Sequence, residues 1–150
     1  MSEFNTGTVF KLDTDGANFA LLHSFAGGGD DGSSPRGELT FSGSDLYGMT
    51  RLGGDSDYGV IFSMDTEGGG FSLLHEFAGN PNDGESPYGS LAISNGKAYG
   101  MTYTGGESDL GVVFSYGPVS GGGQVPEPST ILMFLLLAAG FGLRYVRKKK

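Results

Sequence analysis

Short runs of alternating apolar and polar residues, separated by clusters of turn-forming residues, follow one another along most of the chain. In the run Phe71–Phe77, every second side chain falls on one face of an extended strand, and Leu74 falls on the other face. Comparable runs lie at Val60–Asp65, Ser90–Ser94 and Lys97–Thr102. The intervening turns are rich in Gly, Pro and Asn, and Asn95-Gly96 has the composition of a two-residue hairpin turn. This pattern predicts an all-β region of short antiparallel strands.

These runs recur with a period of 52 residues. Gly7-Thr8-Val9-Phe10 returns as Gly59-Val60-Ile61-Phe62 and again as Gly111-Val112-Val113-Phe114. Residues 7–58 and 59–110 are identical at 27 of 52 positions, and no gap is needed to align them. A period of this length is typical of stacked repeat units.

Each period contains four predicted strands, which is the content of one β-propeller blade. The longest connections, Ala26–Arg36 and Ala78–Tyr88, are interpreted as crossovers between blades. One complete blade then spans Gly37–Phe77, and its predicted strands are Glu38–Ser42, Leu46–Thr50, Val60–Asp65 and Phe71–Phe77. Two strands of a preceding blade and three of a following blade flank it. Residues 1–118 are therefore predicted to form β-propeller-like, antiparallel four-stranded blades in an incomplete ring.

The C-terminal part of the chain has a different composition. A Gly/Ser-rich linker at residues 119–125 leads to a segment, residues 126–150, that is apolar and uncharged from Ile131 to Leu143. A helix over that run rises about 20 Å, against about 30 Å for a bilayer core, so we predict one short transmembrane helix at about residues 130–146. Its apolar side chains include Ile131, Leu132, Phe134, Leu136, Phe141 and Leu143. The basic end that follows is predicted to stay in the cytoplasm and comprises Arg144, Arg147, Lys148, Lys149 and Lys150.

The succession of Pro126-Glu127-Pro128, apolar helix and basic end resembles the PEP-CTERM sorting signal of bacteria that make exopolysaccharide. The resemblance covers Val125–Lys150. It implies export, retention in the membrane by the helix, and processing near the Pro-Glu-Pro triplet by an exosortase-type transpeptidase. The repeat region would then lie outside the cytoplasm, and after processing at the cell surface or in the extracellular matrix.

The repeats resemble the GloVer type of bacterial tandem repeat over about residues 4–117. The motifs that carry this resemblance are Gly59-Val60-Ile61-Phe62-Ser63, Leu73-Leu74-His75-Glu76-Phe77, and Leu46-Tyr47-Gly48-Met49-Thr50 with Gly53-Gly54. Proteins of this type usually carry many copies behind a signal peptide, whereas residues 1–30 show no basic and apolar leader pattern. We therefore expect a further N-terminal part. The resemblance implies a location rather than a reaction.

Charge and composition narrow the range of functions. The formal net charge is −8, and residues 1–143 carry four basic and 17 acidic side chains, which disfavours nucleic acid as a partner. The absence of cysteine excludes disulfides, thiolate metal ligands and a cysteine nucleophile. Neither G-x-S-x-G nor H-E-x-x-H occurs in the sequence. We expect a non-catalytic binding or structural module; the alternatives are a fragment of a propeller carbohydrate-active hydrolase or lyase, and a non-functional remnant.

Three groups of side chains are candidates for ligand binding. His23 and His75 occupy equivalent positions in successive repeats, and they either bind a metal or move protons, or are half-buried beside aromatic residues. Carboxylates in Gly-rich loops are either calcium ligands or solvated turn residues, and the calcium candidates are Asp31, Asp57, Asp83 and Asp109. Tyrosines are expected either to contact a glycan, such as exopolysaccharide, or a surface protein, or to pack between blades; they are Tyr47, Tyr58, Tyr88, Tyr99 and Tyr103.

Overall fold

The computed structural model describes residues 6–120, and all of its regular elements are β-strands. The strands are β1 (Thr8–Lys11), β2 (Ala20–Ser24), β3 (Gly32–Pro35), β4 (Thr40–Ser42), β5 (Asp45–Gly53), β6 (Val60–Asp65), β7 (Ser72–Glu76), β8 (Gly84–Pro87), β9 (Ala92–Ser94), β10 (Lys97–Gly105) and β11 (Val113–Tyr116). Within residues 6–120, no helix has the length and apolar character needed to span a membrane. The predicted transmembrane helix at about residues 130–146 lies outside the described residues.

The strands form three antiparallel sheets that follow the repeat. The first sheet is the hairpin β1–β2, the second is β3 and β4 on one edge of β5 followed by β6 and β7, and the third is β8 and β9 on one edge of β10 followed by β11. β3 pairs with the end of β5 and β4 with its beginning, so together they behave as one interrupted strand. The second sheet is therefore a four-stranded antiparallel meander, as predicted for the complete unit. The third sheet repeats its first three strands.

One prediction about this unit is wrong. The segment Ala26–Arg36 is not a plain connection, because β3 lies in its second half, and β8 lies at the same place one repeat later. Gly32-Ser33-Ser34-Pro35 carries no apolar alternation, so the pattern gave no strand signal. Gly32 is needed at this position, because a Cβ there would lie 2.5 Å from the Thr50 side chain. Pro35 is tolerated because it lies on an edge strand.

The core consists of two apolar layers, one on each side of the second sheet. The layer between the first and second sheets comprises Val9, Phe25, Phe62 and Met64. The layer between the second and third sheets comprises Tyr47, Met49, Ile61, Phe77, Leu91, Ala98 and Val119. The neighbours Ile61 and Phe62 belong to opposite layers, and both are almost completely buried, at 0% and 1% exposed. Both faces of β6 are therefore covered by neighbouring repeats.

Gly48, in the middle of β5, leaves room for the Phe62 ring. A Cβ at Gly48 would lie 2.5 Å from that ring, and Gly48 pairs directly with Phe62 across the strands. The third sheet has the same arrangement, in which a Cβ at Gly100 would lie 2.5 Å from the ring of its partner Phe114. The Gly-Met-Thr motif of the repeat thus serves close packing of an aromatic ring against the backbone.

Candidate functional site

Each histidine forms a pair with an aspartate that follows it by eight residues. His23 Nε2 lies 3.1 Å from Asp31 Oδ1, and His75 Nε2 lies 3.0 Å from Asp83 Oδ2. An ionised carboxylate can only accept, so the ring nitrogen donates in both pairs. His23 also stacks on Phe71, with ring centroids 3.8 Å apart and planes inclined by 6°. Both histidine rings lie against aromatic rings in a half-buried position.

The same carboxylates hold the chain between two sheets. Asp31 accepts hydrogen bonds from the backbone N–H of Ala26 and of Gly32, each at 2.7 Å. Asp83 does the same one repeat later, from Ala78 at 3.0 Å and Gly84 at 2.7 Å. Each His–Asp pair therefore closes the loop that leads into the next sheet. These hydrogen bonds leave one oxygen of each carboxylate with a single donor, Asp31 Oδ2 from Ala26 and Asp83 Oδ1 from Gly84.

The other two calcium candidates close the hairpin loops of the second and third sheets. Asp57 Oδ1 accepts from the N–H of Gly53 at 2.8 Å, and Asp109 Oδ1 accepts from the N–H of Gly105 at 2.9 Å. Across residues 6–120, no three or more His, Asp or Glu side chains form a group that could hold a metal ion. Calcium binding by Asp31, Asp57, Asp83 and Asp109 stays a prediction.

A polar groove that the sequence pattern does not predict lies at the seam where successive repeats meet. The groove has a volume of about 600 Å³ and is lined by Thr6, Gly7, Thr8, Ser34, Pro35, Arg36 and Tyr88. Ser34 links the two repeats at this seam, because its N–H donates a hydrogen bond to the Thr6 carbonyl oxygen at 2.7 Å. Its φ of 59° lies in the left-handed region, as does the φ of 55° at Ser86, its counterpart one repeat later. The sequence feature that could have indicated this groove is the Ser-Pro pair that both repeats share.

The tyrosines fall into two groups. Tyr47 is buried, at 2% exposed, and its hydroxyl accepts the Ser120 N–H at 2.9 Å, so of the two alternatives for this residue the structure shows packing between sheets. Tyr47 lies on the face of β5 that the third sheet covers. The sequence pattern predicts which side chains share a face of the strand, but not which neighbouring sheet covers that face. The other four are exposed by 36% to 75%: Tyr58, Tyr88, Tyr99 and Tyr103. Among them, Tyr88 lines the seam groove.

The predicted sorting segment lies outside the described residues. This applies to Pro126, Glu127 and Pro128, to the apolar run that follows them, and to the basic end.

The described part of the chain is thus an all-β repeat protein, in which equivalent loops of successive repeats carry equivalent side-chain contacts. Residues 2–128 match the family described as the Gloeobacter/Verrucomicrobia repeat, and the chain belongs to that family. Residues 124–148 match the PEP-CTERM protein-sorting motif. No curated protein and no solved structure matches the chain.

Both resemblances inferred from the sequence are confirmed by these matches. The sorting motif marks the chain as a repeat protein that an exosortase-type enzyme processes at the membrane and that is directed to the cell surface or the extracellular space.

Proposed function

We propose that the chain is a non-catalytic glycan-binding module of the cell surface or the exopolysaccharide matrix, built from β-propeller-type blades. Before processing, the apolar segment at about residues 130–146 anchors it as one short transmembrane helix with the basic end in the cytoplasm. After processing, the repeat region alone reaches the matrix.

The blade assignment is supported by the two apolar layers that cover both faces of the second sheet. In a propeller, every blade except those at an open end has neighbours on both faces. The innermost strands of successive sheets also touch, since Thr40 Oγ1 donates to the Leu91 carbonyl at 2.5 Å and the Glu38 N–H donates to Ser90 Oγ at 3.2 Å. A Cβ at Gly37 would collide with the carbonyl oxygen of Gly89, its own counterpart. Such close approach of equivalent strands is expected near a central axis.

The proposed binding role is supported mainly by the side chains that line the seam groove. It combines an exposed tyrosine, Tyr88, with an arginine, Arg36, and the hydroxyls of Thr6, Thr8 and Ser34. An aromatic face packs against the C–H groups of a sugar ring, while guanidinium and hydroxyl groups bond to its oxygens. The acidic body of the chain repels polyanions, so a neutral glycan fits this groove better than a strongly acidic one.

Affinity electrophoresis of the full chain, in gels that contain polysaccharide purified from the matrix of an exopolysaccharide-producing bacterium, tests this role. Replacing Tyr88 or Arg36 with alanine is expected to weaken binding about tenfold, corresponding to about 1.4 kcal/mol, because each loses a direct contact with the glycan. Tyr103→Ala is the matched control, since Tyr103 is 75% exposed and does not line the groove. Equal retardation of all three variants and the unchanged chain would refute glycan binding at this groove.

A further inference from the structure

The chain departs from the repeat pattern immediately after β11. In the second repeat a turn and β7 follow β6, whereas in the third repeat the segment Gly117–Ser120 follows β11 and packs under the second sheet. Val119 is 9% exposed and belongs to the apolar layer between the second and third sheets. Its N–H donates to the Gly96 carbonyl at 2.8 Å, and the Ser120 N–H donates to the Tyr47 hydroxyl at 2.9 Å. The point from which the sorting segment leaves is therefore fixed to two successive repeats.

These contacts place the exit point at one particular end of the strands. We call this end the hairpin rim, because it carries the two-residue turns Gly43-Ser44 and Asn95-Gly96. The strand β5 begins at the hairpin rim with Asp45 and has nine residues, so the opposite end of the sheets lies about 26 Å away. We call that opposite end the loop rim; it consists of residues 25–31, 54–59, 77–83 and 106–112.

The two rims differ in charge. The loop rim contains seven carboxylates and no Lys or Arg; the carboxylates belong to Asp30, Asp31, Asp55, Asp57, Asp83, Glu107 and Asp109. The turns of the hairpin rim, at residues 12–19, 43–44, 66–71 and 95–96, contain three, which belong to Asp13, Asp15 and Glu67. Glu67 is also paired with Lys11 at 2.6 Å. Anionic lipid headgroups therefore repel the loop rim more strongly than the hairpin rim.

We propose that the hairpin rim faces the bilayer surface while the chain is anchored and processed, and that the loop rim points away from the membrane. The partner of the hairpin rim is thus the layer of lipid headgroups. The inference rests on the proposed membrane anchor and goes beyond it, because it assigns which surface of the repeat region is turned towards the matrix. That surface consists of the loops closed by Asp31, Asp57, Asp83 and Asp109.

The number of residues between the exit point and the sorting motif excludes the inverted orientation. Pro126 follows Ser120 by six residues, which span at most about 21 Å even when fully extended. If the loop rim lay on the bilayer, Ser120 would be held about 26 Å above the membrane surface. The Pro-Glu-Pro triplet could not then reach an enzyme that processes the sorting motif at the membrane. With the hairpin rim towards the bilayer, the triplet lies within reach.

Energy transfer to lipid headgroups tests this orientation. The chain has no cysteine, so single thiols can be introduced at Ser44 on the hairpin rim and at Ser56 on the loop rim, both of which are exposed. Unprocessed full-length Ser44→Cys and Ser56→Cys chains are labelled with a donor dye and reconstituted into phosphatidylethanolamine–phosphatidylglycerol vesicles that contain an acceptor-labelled lipid. Transfer is expected to be about twofold more efficient from Ser44, because Ser56 lies about 26 Å farther from the headgroups. Equal transfer from the two positions, or more from Ser56, would overturn the proposal.

A longer tether is the matched control, because it leaves the repeats unchanged. Inserting about twenty Gly and Ser residues after Ser120 adds up to about 70 Å of reach, so transfer from the two positions is expected to become similar. Flotation of the vesicles measures the anchor separately. Chains that float with the vesicles but show equal transfer without the insertion would refute the orientation alone. Chains that do not float would refute the anchor, and the orientation with it.

Discussion

Replacing Phe62 with alanine is expected to lower the free energy of unfolding by about 4 kcal/mol, which is the usual cost of removing a large aromatic ring from a core. Phe62 is 1% exposed. Its ring lies 5.3 Å from that of Phe25 and 5.6 Å from that of Phe71, so it connects the first sheet to the second. The loss is measured by urea unfolding of the full chain, followed by circular dichroism.

The repeat supplies a control for this substitution. Phe10 is the counterpart of Phe62, but it is 55% exposed, so Phe10→Ala is expected to cost under about 1 kcal/mol. If Phe62→Ala does not fold, Phe62→Leu tests the same contact at a cost of about 1.5 kcal/mol. Equal losses for the Phe10 and Phe62 variants would contradict an apolar layer between the first and second sheets.

Replacing Asp31 with alanine is expected to lower the free energy of unfolding by about 3 kcal/mol, because it removes a charged acceptor shared by two backbone N–H groups and one histidine. Gly32 is buried, so its N–H cannot turn to bulk water instead. Asp83→Ala is expected to cost less, since its side chain is 24% exposed against 13% for Asp31. The measurement is again the free energy of unfolding in urea.

Asp30 is the natural control for this substitution. It precedes Asp31 and is exposed, so Asp30→Ala is expected to change stability by less than about 0.5 kcal/mol. Repeating the unfolding with added calcium tests the calcium hypothesis in the same samples. Calcium bound at these carboxylates would raise the free energy of unfolding, and an unchanged value would count against the hypothesis. Equal stability of the Asp30 and Asp31 variants would contradict the structural role of the His–Asp pair.

Most of the strands were predictable because the 52-residue repeat samples each of them twice. Val60–Asp65 was predicted with its observed bounds, and the other predicted runs of the second repeat overlap β7, β9 and β10. The strands β3 and β8 were not predictable, since Gly32-Ser33-Ser34-Pro35 becomes extended only through pairing with β5. Apolar and polar residues alternate along a strand when one of its faces is buried in the core. An edge strand of small polar residues buries few apolar side chains, so its sequence shows no such alternation.

The candidate sites were less predictable than the strands. The sequence identified His23 and the acidic loops but did not connect them, although the eight-residue spacing from histidine to aspartate is the same in both repeats. For Tyr47 the sequence left ligand contact and packing between blades both open, because alternation along a strand does not tell which neighbour covers which face. The seam groove depends on residues from three successive repeats, so only the stacking of the sheets brings Thr6, Arg36 and Tyr88 together.

Successive repeats stack face to face, and the reactivity of introduced thiols is the direct test of this stacking. Met49 and Met101 are equivalent residues, but Met49 is 5% exposed under the third sheet and Met101 is 60% exposed. In full-length chains dilute enough to be monomeric, Met49→Cys is expected to react with a maleimide only after unfolding, whereas Met101→Cys reacts at once. Equally fast reaction of the two thiols in the native chain would contradict the stacked arrangement.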